Sequence, residues 1–271
     1  MTAERDITND CVAIAFYGVT ADPTSLASFY SHLIEWFDSV ECPPDRIAVE
    51  GVGFSGNPVG FARTHSRLSK GDFSQVKAIE TYSMLQNGRK PLVDWWATAS
   101  ISFDYKPAFV LEARSSVTTL EDDRLMRLID NCVSILNPVY GIGYHRDHDK
   151  GPGFYAIGLN YVTMDNLTGD DPKEVEAVSK WGYVGMTNEV YREGLLRDVY
   201  PYNYLTKPHL EKSVGKQSLQ QWIDADESRG SLSKIGEHMT LWRIASAQIE
   251  AVRGELSQYG VIFDWNTYDG Q

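Results

Sequence analysis

The chain has 271 residues, 42% of them hydrophobic, with 25 basic and 37 acidic side chains and a formal charge of −12. That much apolar material buries a core without disulfide or metal staples, which excludes a wholly disordered chain and a cysteine-framed scaffold. The charge is even, −6 on either side of residue 160, so the field repels phosphate backbones and disfavours direct nucleic-acid binding, while it favours a basic partner.

Cys11, Cys42 and Cys132 are odd in number and lack CxxC spacing, which reads as buried free thiols in a reducing compartment. Residues 1–6 show no basic stretch leading into an apolar run, so no secretory leader is expected. No run of about 18 apolar residues occurs, so no membrane span is expected either. These features together read as a cytoplasmic protein.

Residues 11–19 (CVAIAFYGV) predict a buried strand. Asp22 then caps a helix begun by Pro23, whose stripe runs through Leu26, Phe29, Tyr30, Leu33, Ile34, Phe37 and Val40 and stops at Pro43-Pro44. Residues 46–54 predict a second strand, and the Gly/Ser/Asn-rich stretch 55–72 a long connection. Phe73 to Leu85 reads as a helix. Residues 95–105 and 109–116 predict an antiparallel strand pair. Thr118 and Thr119 offer caps to a helix carrying Leu125, Leu128, Ile129, Cys132, Val133 and Leu136.

Residues 140–145 and 154–162 read as strands around a polar turn, and 165–176 as an acidic surface loop running into a helix. Helices are expected at 189–196, 218–225 and after Ser246, with strands at 241–244 and 261–265. Hairpins mix with crossovers, so the class is α+β, with a mixed, mainly antiparallel sheet or sheets packed against helices. One integrated unit over 1–271 is expected. Residues 163–173 are the sole candidate boundary, dividing 1–165 from 166–271.

Two local patterns invite chemistry. His145-Arg146-Asp147-His148-Asp149 has the nitrogen and oxygen donors of a metal site, which would suit a metal-dependent hydrolase. Arg146 beside the cation and the turn context argue instead for Asp side chains bonded to their own backbone. Gly51, Gly53 and Gly56 match dinucleotide-loop spacing, but no helix is expected after them to receive a pyrophosphate. His32, His65, His209 and His238 show no partner in the sequence. No nucleophile, phosphate-loop or kinase signature is present, so the chain reads as a non-enzyme without cofactor.

An ordered set stands out in the C-terminal half. Arg197-Asp198-Val199-Tyr200-Pro201-Tyr202-Asn203-Tyr204-Leu205 is followed by Leu219 and Trp222-Ile223, then Arg229-Gly230-Ser231-Leu232, then Leu241-Trp242. Over roughly residues 190–265 this set resembles the immunity protein 52 family of polymorphic-toxin systems. The resemblance implies an antitoxin of type VI secretion and interbacterial competition. Its expected partner is a cognate secreted nuclease toxin with a restriction-endonuclease-like domain, neutralised by stoichiometric binding. It brings no catalytic residues. The bottom-up reading of Arg197, Asp198, Tyr200, Pro201, Asn203, Trp222, Gly230 and Trp242 is mainly structural, with Tyr and Trp also able to anchor an interface.

A nuclease site holds phosphate beside basic residues and divalent metal. An acidic inhibitor can occupy that surface, or grip a neighbouring one and prevent toxin assembly or opening. Asp147, Asp149, Asp165, Asp170, Asp171 and Glu174 are the expected toxin contacts, because they cluster on predicted loops. The rival readings are ordinary solubility charge, a hydrolase built on His145 and His148, and an acidic adaptor for some other protein.

Overall fold

The computed structural model describes residues 6–71, 73–85, 90, 93–104, 106–161, 172–266 and 268. In chain order the strands and helices are β1 (Asp10–Tyr17), α1 (Pro23–Ser39), β2 (Arg46–Gly51), β3 (Val59–Gly60), α2 (Phe61–Leu68), β4 (Val76–Met84), β5 (Trp95–Ser102), β6 (Ala108–Arg114), α3 (Asp123–Leu136) and β7 (Tyr140–Asp147). The C-terminal part adds α4 (Pro152–Ala156), α5 (Pro172–Lys180), β8 (Tyr202–Leu205), α6 (Lys207–Leu210), β9 (Ser213–Val214), β10 (Gln217–Ser218), α7 (Leu219–Asp224), β11 (Ser231–Ile235), β12 (Met239–Arg243) and α8 (Ile249–Ser257). A π-helical turn, Trp181–Met186, continues α5.

Among the described residues, ten strands form one antiparallel sheet in the order β11-β12-β8-β7-β1-β6-β5-β4-β2-β3. The class is α+β. The central strand β1 is buried on both faces, which is why its sequence is a continuous apolar run without alternation. Its Val12, Ile14 and Phe16 meet α1 and α3 on one face, and Ala13, Ala15 and Tyr17 meet the C-terminal layer on the other. Strands from both sides of residues 163–173 share this sheet, joined where Gly141, Ile142 and Gly143 of β7 pair with Tyr204, Asn203 and Tyr202 of β8. Gly141 is required there. A Cβ would stand 2.5 Å from the Phe16 ring, which packs 4.8 Å from that of Tyr204.

The cap on α1 is as expected: Asp22 accepts from the amides of Thr24 and Ser25 at 2.8 and 3.0 Å. On α3 the cap is Asp122, not Thr118 or Thr119, because its carboxylate reaches the Arg124 amide at 2.8 Å. Several expectations fail. Phe73 to Leu85 is not helical: β4 lies between β2 and β5, and its last four residues are buried on both faces, which hides the alternation. Residues 55–72 hold β3 and the amphipathic α2.

Residues 154–161 are not a strand, and Val162 lies outside the described residues. Pro152 opens α4, and β7 continues through His145, Arg146 and Asp147 instead of turning there. Residues 189–196 form only a short 3-10 turn, and 261–265 contribute an isolated parallel bridge, Leu196 to Ile262. Cys11, Cys42 and Cys132 are buried and form no disulfide among the described residues. Among the described residues no helix is long and apolar enough to cross a membrane.

Candidate functional site

Among the described residues, the second sheet face is covered at one end only. One row across it runs Glu80, Ser100, Val110, Ala15, Ile142, Asn203, Trp242. From Val110 to Trp242 every member is buried, whereas Ser100 is half-buried and Glu80 is exposed. The aromatic C-terminal layer therefore stops near β6, and β4 and β5 present small and polar side chains beyond it.

Two adjoining hollows occupy this uncovered end. One, of about 100 Å³, is lined by Glu80, Tyr82, Trp95, Thr98, Glu112 and Gly153 among others. The other, of about 280 Å³, shares Glu80 and Ser100 and extends over Ala78, Ser102, Lys106 and Ala108. Glu112 stands opposite Thr98 in the β5–β6 register. Its carboxylate accepts the Gly153 amide at 2.7 Å, a contact that only glycine permits, since a Cβ would lie 2.4 Å from the same carboxylate.

Burial pushes the Glu112 carboxyl up to about 7, with the Glu80 charge adding to the rise and the Gly153 hydrogen bond opposing it. The Tyr82 hydroxyl donates to Glu80. Thr98 is 6% exposed. Glu80 and Glu112 therefore line one hollow together, beside Tyr82, Trp95 and Thr98.

The residues singled out by sequence are placed differently. Asp147 and Asp149 are exposed at the end of β7 and in the 3-10 turn after it. Glu174 is tied to Arg146 at 2.5 Å, so it serves an internal pair. Asp165, Asp170 and Asp171 lie outside the described residues.

His145 and His148 diverge. The first has Asp10 at 3.1 Å, and the second lies edge-on to Trp95 with ring centroids 4.8 Å apart. Burial, then the charge of Arg114, hold the His148 imidazole below its ordinary value although Asp149 is 3.5 Å away. Among the described residues no group of three or more His, Cys, Asp or Glu is placed to hold a metal. The other histidines do have partners: His65 meets Tyr30 at 3.0 Å, His209 forms a capping box with Thr206, and His238 meets the Pro138 carbonyl at 3.1 Å.

The ordered C-terminal set braces the covered end of the sheet. Arg197 donates to the carbonyls of Ala156 and Tyr155 at 2.9 and 2.8 Å. Asp198 pairs with Arg253 at 2.6 Å. The Asn203 amide spans the Tyr200 backbone, accepting from its N–H at 3.1 Å and donating to its C=O at 2.6 Å. The Tyr200 hydroxyl meets that of Tyr155 at 2.9 Å, and the Pro201 carbonyl accepts from Ile244. Trp242 donates to the Arg229 carbonyl at 2.7 Å, and the Arg229 guanidinium lies 4.2 Å over Trp222. Gly230 turns with φ +95°, where a Cβ would stand 2.1 Å from the Arg243 carbonyl.

Sequence reasoning missed Glu80 and Glu112. Each sits alone among β residues, and only the sheet register brings them together.

No family model matches the sequence, so the resemblance to the immunity protein 52 family stands without one, and no curated protein matches it. The fold is similar to that of the Pseudomonas aeruginosa T6SS protein PA0821, with a TM-score of 0.56 and 14% identity over 97% of this chain and 77% of that one. At that identity the likeness concerns the fold alone.

Proposed function

We propose that this chain is an immunity-type inhibitor, a non-enzymatic protein that binds a basic, secreted nuclease toxin of type VI secretion and blocks it stoichiometrically. The observation that carries the reading is the Glu80–Glu112 groove on the uncovered sheet end, in a chain of charge −12. A Lys or Arg of the toxin's phosphate-binding surface would enter this groove and lose its access to nucleic acid. The long-range field would speed capture, and burial of the inserted cation would slow release. The C-terminal resemblance to an immunity family and the T6SS origin of a protein with a similar fold support the same assignment. The toxin's restriction-endonuclease-like class rests on that resemblance.

The hydrolase alternative needs His145 and His148 to converge, and their rings serve different neighbours. Co-expression with candidate toxins from neighbouring genes, followed by size-exclusion chromatography, tests the proposal. A co-eluting complex with a nuclease, lost in Glu80→Lys, is expected. Elution of this chain alone beside every nuclease candidate would refute it.

A further inference from the structure

A cleft of about 710 Å³ opens on the covered side of the sheet, between α4, α5 and α8, and is independent of the acidic groove. Arg197 forms part of its wall and is 8% exposed. Its hydrogen bonds run to the carbonyls of Ala156 and Tyr155 and, at 3.4 Å, to the Tyr17 hydroxyl. Of the five N–H donors of a guanidinium, three are thus used and two have no partner among the described residues.

No carboxylate among the described residues pairs with Arg197. The adjacent Asp198 turns to Arg253 and to the Val199 amide. Burying a cation without a counter-ion is costly, and the usual remedy is an anion. The walls beside it are flat and aromatic: Tyr155 lies 4.1 Å from the guanidinium carbon, Trp181 lies 5.3 Å away, and Trp265 lines the same cleft. Lys173 lies in the same wall, Arg253 is held between Asp198 and Glu250, and Glu174 is held by Arg146. Arg197 is thus the cation of this cleft that no carboxylate among the described residues pairs, in a space of a size that suits a small molecule.

We infer that the Arg197 cleft binds a small oxyanion, a carboxylate or phosphate carried on a flat apolar body. The anion completes the guanidinium's fork, and the body stacks between the aromatic walls. Calorimetry on the full chain with benzoate, phenyl phosphate and the neutral benzamide tests this. Saturable binding of at least one anion is expected, with benzamide about tenfold weaker or absent. Benzoate binding alone identifies a carboxylate site, and phenyl phosphate binding alone a phosphate site.

Arg197→Lys keeps the charge but loses the fork, and should weaken binding about tenfold. Ala177→Phe places a ring at the exposed mouth without touching the Arg197 bonds, and should abolish binding while the protein stays folded. The inference is overturned by no saturable binding of either anion, by equal binding of benzamide, or by undiminished binding in folded Ala177→Phe. None of these results bears on toxin inhibition, which is read at the other site.

Discussion

Glu112 holds its proton more tightly in the folded chain than an ordinary carboxyl does, because burial and the Glu80 charge outweigh the Gly153 amide. Tyr82 and Glu80 from β4, Tyr144 from β7 and the Gly153 amide from α4 surround it. Its folded value lies above the unfolded one, so its contribution to stability is complete below the ordinary range. That contribution is lost as pH rises from 4.5 to about 7 and is level beyond. Glu112→Gln should therefore stabilise the protein at pH 8 by on the order of 2 kcal/mol, after allowance for solvent screening at this half-buried site, and flatten that pH dependence. Urea unfolding of both proteins across this range measures it. Asn203 makes a different demand: buried completely, it satisfies both backbone groups of Tyr200. Asn203→Ala should cost about 2–3 kcal/mol in the same measurement, since it leaves two buried polar groups without partners.

At the scale of elements, what could be read from the sequence depended on whether burial was one-sided. The apolar stripe and Asp22 cap of α1, and the stripe of α3, announce their helices because each buries a single face. Strand β4 carries no strand period because Thr81, Tyr82, Ser83 and Met84 are all buried, so no polar face marks it. A helix over 73–85 cannot set Glu80 beside Glu112; only the β4–β5–β6 register does. Gly230, picked out in the sequence as part of a motif, owes its place to geometry at the entry to β11. Gly230→Ala should cost about 2 kcal/mol or more and shift the thermal midpoint downward, because it adds a Cβ at positive φ against the Arg243 carbonyl.

For the whole molecule, one ten-stranded sheet carries strands from both halves of the chain, and α1 with α3 and the C-terminal layer cover its two faces. A single coincident unfolding transition by fluorescence and circular dichroism is expected, and two separated transitions would divide the chain near residues 163–173. Among the described residues the same architecture leaves the β4–β5 end uncovered, with Glu80 and Glu112 in its lining. On the proposed function, this end captures a basic nuclease. The direct measurement is a titration of the toxin's DNA cleavage with the purified protein. The account predicts a linear fall to no cleavage at molar equivalence, with Glu80→Lys requiring a large excess; cleavage that continues unchanged at molar excess of the unaltered chain would contradict it.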